Sequence, residues 1–354
     1  MTDANPTQTA AQTKRATTIE PLSIDATAQL CTDVADNVGR VIVGHDAEVE
    51  HVITALLARG HVLLDDVPGV GKTMLARSIA KSVDCTFRRV QFTPDLLPSD
   101  ITGVNVFNQK TREFEFQPGP VFANIVLGDE INRAPPKTQS AMLEAMEEEQ
   151  VTVDGTTRAL PQPFTVIATQ NAIEPDRTYE LPFAEVDRFM KKLSLGYPDP
   201  AEESEMLART VGHHPIESLE PVTDIETLRR AREAVTQIAV KEPVRDYATR
   251  LAGYTRNHAR LGVSPRGTIA LLRAAQARAI LDGREYVIPD DVQYEAPVVM
   301  SHRIKTASRS GSGSGSGSDS KSRSRSRSRA GSNDDRHRDG AAIVSDALEQ
   351  IPVE

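Results

Sequence analysis

The stretch His-Val-Leu-Leu-Asp-Asp-Val-Pro-Gly-Val-Gly-Lys-Thr at 61–73 restricts the possible folds more than any other. An apolar run passes directly into a glycine-rich turn, and Lys72-Thr73 opens an amphipathic stretch that continues to Val83. A strand, a tight loop and a helix in that order aim backbone N–H groups and the positive helix terminus at one small volume, which suits a phosphate. Gly69 and Gly71 let the backbone curl and approach a ligand closely. Lys72 reaches the outer phosphates, and Thr73 offers a hydroxyl to Mg²⁺. The usual pattern, G-x-x-x-x-G-K-[ST], asks for glycine at position 66, where this chain has Asp66. That position lies at the strand end, before the curl, so its side chain can point away from the nucleotide. Pro68 stiffens the entry.

A second apolar strand, Asn124-Ile-Val-Leu-Gly-Asp129-Glu130, ends in two carboxylates. Set opposite the loop, Asp129 would hold Mg²⁺ and Glu130 would orient and deprotonate an attacking water. Further apolar runs at 87–92, 164–171 and 190–197 alternate with helical stretches, which predicts βαβ units and a parallel five-stranded sheet. After Pro198 the strands stop and four or five helices are expected. Thr223-Asp-Ile-Glu226 reads as a capping box, and Ser264-Pro265 and Pro289-Asp-Asp as helix starts. Two hairpins are expected, one turning at Pro118-Gly119-Pro120 and one at Asp154-Gly155.

The expected organisation is a disordered arm at 1–20, an α/β nucleotide-binding domain at 21–197 and an all-helical lid at 198–306. A disordered Ser/Gly/Arg insertion follows at 307–339, and then a C-terminal helix at 340–354. In that helix Ile343, Val344, Ala347, Leu348 and Ile351 share one face. A helix so short needs a docking surface, for which the lid is the natural candidate. Formal net charge is −9. The tract at 308–338 carries eight basic and three acidic residues, leaving 33 basic against 47 acidic elsewhere. Such an acidic body disfavours nucleic acid as a partner. Cys31 and Cys85 offer at most one bridge and no metal spacing, which fits a reducing cytoplasm. No membrane span is expected.

At this point the chain resembles a family. D-E-I-N-R-A-P-P-K-T-Q-S-A-M-L-E-A-M-E-E (129–148) and QFTPDLLPSDITG (91–103), together with the loop, are similar to the MoxR family of AAA+ ATPases over about 38–305 and the final helix. Departures are Gly128, Ala172 and the insertion. The resemblance implies an AAA+ P-loop core that hydrolyses ATP with Mg²⁺. In it Val43 and Gly44 line the adenine pocket, with His45 as a polar wall. Pro68, Gly69, Val70, Gly71, Lys72, Thr73 and Met74 form the loop. Asn171 is implied as the polar sensor beside the attacking water, Arg188 as an arginine finger, Arg266 as the second sensor, and Arg133 as a contact across subunits. It further implies a homo-oligomer, a hexameric ring, a von Willebrand factor A domain protein as partner, and a client protein to be matured. Two other readings stay open, a nucleic-acid-stimulated motor and a nucleotide-gated scaffold that hydrolyses little.

Overall fold

The computed structural model describes residues 19–171, 179–211, 215–306 and 339–353. Five strands form one parallel sheet: β1 (Val62–Asp65), β2 (Phe87–Gln91), β5 (Ile125–Asp129), β8 (Thr165–Gln170) and β9 (Lys191–Leu193). Their order across the sheet is β2-β5-β8-β1-β9, and every pairing is parallel. Because side chains alternate along a strand, the sheet feeds two cores. Ile125, Leu127, Ile167, Val62 and Leu64 face a layer containing α1 (Ile24–Gly39), α2 (Asp46–Leu57), α3 (Lys72–Ser82) and the lid. Leu63, Val126, Val166 and Ala168 face the other way, onto Phe92, Phe164 and the apolar side of α5 (Pro136–Glu148).

Two antiparallel hairpins leave this frame. One pairs β3 (Gly103–Asn108) with β4 (Glu113–Pro118), the other β6 (Gln150–Val153) with β7 (Thr156–Ala159). The second turns at Asp154-Gly155 as expected, with positive φ at both residues. The first does not turn at Pro118-Gly119-Pro120. Its turn is 109–112, with Arg112 at φ 58°, and the Pro-Gly-Pro segment is the exit of β4. A Cβ at Gly119 would lie 2.2 Å from the Ile101 carbonyl oxygen, so that glycine serves a close return of the chain onto α4 (Pro98–Thr102).

A short helix, α6 (Phe183–Val186), precedes β9, and the helices beyond it are α7 (Pro200–Thr210), α8 (Ile225–Gln237), α9 (Glu242–His258), α10 (Pro265–Leu281) and α11 (Pro289–Met300). Helices α8 to α11 pack on one another in the region expected as the lid, whereas α7 lies against Gly39 and Gly44. Ser264 caps α10 by accepting from Gly267 N–H. The cap of α8 is Asp224, whose side chain accepts from Thr227 N–H; Thr223 is one residue too early to act as the cap. The last helix, α12 (Gly340–Gln350), packs on α9 and α11 through buried Ile343, Val344 and Ala347. The arm at 1–18 and the tract at 307–338 lie outside the described residues. Among the described residues both cysteines are unpaired, and no helix is long and apolar enough to cross a membrane.

Candidate nucleotide site

The carboxyl ends of β1, β5 and β8 bring the phosphate-loop residues and the acidic pair together. Gly69 (φ 89°) and Gly71 (φ 92°) both sit in the left-handed region, and a Cβ at either would meet nothing within 4 Å. Backbone conformation, rather than space, therefore requires glycine there. Lys72 folds back and donates to the carbonyls of Asp66 (2.7 Å) and Val67 (3.1 Å), while Pro68 and Gly69 are exposed. Burial holds its ammonium below the usual lysine range, and Asp66, Asp129, Asp65 and Glu130 pull the other way. Val70, Thr73 and Met74 are half-buried beside it.

Asp66 points away from the loop. It is 6% exposed and accepts from Val67 N–H (2.9 Å), Gly196 N–H (2.8 Å) and Leu195 N–H. The residue in the place of the expected glycine thus fastens the exit of β9 to the entry of the loop.

Asp129 accepts from the Thr169 hydroxyl (2.7 Å) on one oxygen and from Arg89 Nε (3.0 Å) on the other. Thr169 in turn accepts from Glu130 N–H at 2.8 Å. Glu130 has a left-handed backbone, φ 57°, which is uncommon outside glycine. One of its carboxylate oxygens takes hydrogen bonds from Gln91 (2.7 Å) and Arg133 (2.7 Å). Arg133 therefore joins this site from within the same chain. Asn171 follows β8 on the same edge, and its carbonyl accepts from Asn132 (3.3 Å). Ala172 lies outside the described residues. The donor set fits a hard divalent ion: the Thr73 hydroxyl and the Asp129 carboxylate supply oxygen alone. One oxygen of Asp129 already carries the positive charge of Arg89.

Val43 and Gly44 precede α2, with His45 as its half-turn start. Gly44 (φ 78°) lies under α7, where a Cβ would meet the Glu202 carboxyl carbon at 2.2 Å.

Arg188 and Arg266 are placed elsewhere. Arg188 precedes β9, and Arg266 sits in the first turn of α10. Both pair with Glu147 near the end of α5, Arg266 at 3.1 Å, and Arg188 also pairs with Glu185 at 2.8 Å. They line a cleft of about 620 Å³ with Gly60 and His61, which precede β1. This is the amino edge of the sheet. Four residues of β1 separate it from the phosphate loop, a rise of about 13 Å at strand spacing. The structure therefore joins the two arginines to each other and not to Lys72, Asp129 and Glu130 of the same chain.

With this geometry in view, the comparisons with known proteins are decisive. A profile of the ATPase family associated with various cellular activities (AAA) matches residues 61–191, and an AAA lid profile matches 252–322. The chaperone MoxR1 of Mycobacterium tuberculosis is 43% identical over 278 residues, covering 75% of this chain and 73% of that protein. The chain belongs to the MoxR family of AAA+ ATPases. Protein MoxR of Methylorubrum extorquens is 30% identical, covering 79% of this chain and 88% of that one. YeaC of Bacillus subtilis, a protein with no assigned activity, is 54% identical, covering 76% of this chain and 85% of its own. The crystal structure of a candidate ATPase from Cytophaga hutchinsonii superposes with a TM-score of 0.80 at 32% identity, covering 94% and 97% of the two chains. Membership agrees with the fold. Sequence reasoning gave no role to Arg89, Gln91, Thr169, Glu147 or Arg303. Gln91 and Thr169 lie inside stretches already singled out, 91–103 and 164–171, but their partners Glu130 and Asp129 are about forty residues away.

Proposed function

We propose that this MoxR-family protein binds and hydrolyses ATP in a ring of identical subunits, and uses the cycle to remodel a client protein. The observation that carries this reading is the split between the two sheet edges. Lys72, Asp129 and Glu130 gather at the carboxyl edge, and Arg188 and Arg266 at the amino edge, about a strand length away. Arginines that cannot reach their own phosphates can serve those of the next subunit, and a head-to-tail contact of this kind closes into a ring. Six subunits are the number that the resemblance implies.

At the nucleotide, the loop N–H groups and Lys72 would balance phosphate charge, and Val43 and Gly44 would border the base. Thr73 and Asp129 would hold Mg²⁺, which neutralises charge on the phosphate oxygens. Glu130, with Asn171 nearby, would orient water and take its proton. Gln91 and Arg133 engage one of the two Glu130 carboxylate oxygens, and the other is the one proposed to face the water. The remodelling role is supported by the named relative chaperone MoxR1 and by an exposed apolar end on the β3–β4 hairpin. There Phe107 and Phe114 face solvent with ring centroids 5.4 Å apart. A von Willebrand factor A domain protein is the proposed partner, and the cytoplasm the proposed compartment.

Glu130→Gln is expected to retain ATP with turnover nearly abolished, and Lys72→Ala to lose ATP binding. Retained nucleotide measured on the purified protein, with single-turnover rates, checks both. Unchanged turnover in Glu130→Gln would remove the assignment of the base.

A further inference from the structure

One buried residue after α11 touches the segments that carry both arginines of the amino edge. Arg303 closes the 3-10 turn after α11 and is 3% exposed. Its guanidinium donates to Asp187 Oδ1 (2.8 Å) and to the carbonyls of Asp187 (3.0 Å), Phe189 (2.6 Å) and Met190 (3.1 Å). These acceptors surround Arg188 in sequence, so the fork grips the short segment that carries it. The His302 ring pairs with the Phe189 carbonyl as well, at 3.1 Å. On the other side, the stem of Arg303 lies under the first turn of α10. A Cβ at Gly267 would come within 2.7 Å of Arg303 Cδ, and Gly267 adjoins Arg266. The cap residue Ser264 reaches Asp187 Oδ2 at 3.4 Å. Glu147 completes the unit at the surface by accepting from Arg188 and Arg266 together.

A buried guanidinium is costly to desolvate and is a weak device for stability alone. A planar fork presents five donors in a fixed geometry and so suits several carbonyls spread along a segment, which a lysine ammonium, a single point on a flexible stem, does not match. We propose that Arg303 is a positioning residue. From the lid, it sets Arg188 and Arg266 as one two-pronged unit for the phosphates of the nucleotide held by the neighbouring subunit. This rests on the reading that the two arginines act across subunits. It makes the lid and the finger one rigid piece, so a lid movement in one subunit displaces both prongs at the next site.

The test uses the full chain with ATP and Mg²⁺. Arg303→Lys keeps the charge and loses the fork. Asp187→Asn keeps the shape, weakens the same grip and serves where Arg303→Lys fails to fold. Each is expected to bind ATP at its own loop like the wild type while kcat falls about 10- to 100-fold, as displaced catalytic groups do. In mixed rings, Asp187→Asn subunits should regain turnover when combined with Glu130→Gln subunits, because each supplies what the other lacks. Combined with Arg188→Ala subunits they should regain none, because both damage the same side of the interface. A general folding defect fails in both mixtures. Turnover restored by Arg188→Ala, an unchanged kcat, or failure in both mixtures overturns the proposal. If Arg188→Ala and Glu130→Gln themselves do not complement, the reading across subunits falls, and the proposal with it. If they do and Asp187→Asn does not, the proposal alone falls.

Discussion

Asp66 shows how one unexpected side chain can be read. Its position allowed it to point away from the nucleotide, and the structure gives the reason it is aspartate. Its carboxylate accepts the N–H groups of Val67, Leu195 and Gly196 between the loop and the strand beside it. Glycine there would restore the common loop pattern and leave three donors without this acceptor. A buried donor left unpaired costs about 1–3 kcal/mol, and two of these are half-buried, so Asp66→Gly is expected to destabilise by about 2–4 kcal/mol in total. Urea unfolding measures the loss, and ATP binding to the folded variant should persist. An equally stable variant would show that the anchor is dispensable. The contrast with Gly69 and Gly71 is instructive. Those glycines answer to backbone φ, a local property, and were legible from the loop spacing. Two of the partners of Asp66, Leu195 and Gly196, are about 130 residues away, and nothing in the sequence announces them.

The same distinction holds for whole elements. The central strands β1, β5 and β8 were readable because each is an apolar run bounded by turns, and burial on both faces is what such runs require, whereas the edge strands β2 (FRRVQ) and β9 (KKL) carry charged residues. The β6–β7 hairpin was readable from Asp154-Gly155. The partner of β4 was misread because the strand in fact pairs backward with β3, and Pro-Gly-Pro serves a close backbone approach instead of a turn. The short final helix was legible from its spacing, and its landing place is explained by one glycine. A Cβ at Gly340 would lie 2.1 Å from the Ser301 carbonyl oxygen, so α12 begins against the turn that ends the lid. The chain thus returns beside the point it left at Thr306. Burying Ile343, Val344 and Ala347 there supplies the tertiary packing that eleven residues lack alone. Ile343→Ala should cost about 2–5 kcal/mol, the usual range for such a buried truncation. Deleting 308–338 while keeping α12 should leave stability close to the wild type. Thermal melts of the two variants compare them, and an Ile343→Ala melt equal to that of the wild type would mean that α12 contributes nothing by docking.

At the scale of the molecule, the two sheet edges have opposite chemistry, and the amino edge also sets the response to acid. His61, just before β1, accepts Val166 N–H on Nδ1 (2.9 Å) and pairs through Nε2 with the Met146 carbonyl (3.0 Å). The neutral ring with its proton on Nε2 satisfies both, joining β1, β8 and α5. Burial pushes its pKa down to about 4; the Met146 carbonyl opposes that shift, and the nearby charges of Arg232 and Arg266 add to it. His302 is likewise held well below the usual range, by burial first and then by Arg303. Both imidazoles are therefore neutral in the fold and free to take a proton near pH 6.5 when unfolded. Below that value the unfolded chain binds protons that the folded chain refuses, so stability is full above about pH 6.5 and declines as pH falls toward 4. Each histidine can contribute at most about 1.4 kcal/mol per pH unit in that window. Carboxylates with lowered values, such as Asp224 beside Thr227 N–H, act in a lower window, their contribution being lost as they become protonated. Unfolding free energies measured by urea between pH 7.5 and 4.5 should fall with a slope approaching two protons. His61→Gln, which can still donate and accept, should reduce that slope by about one proton. An unaltered slope would mean that His61 carries its proton in the folded state, which is incompatible with the bond from Val166 N–H.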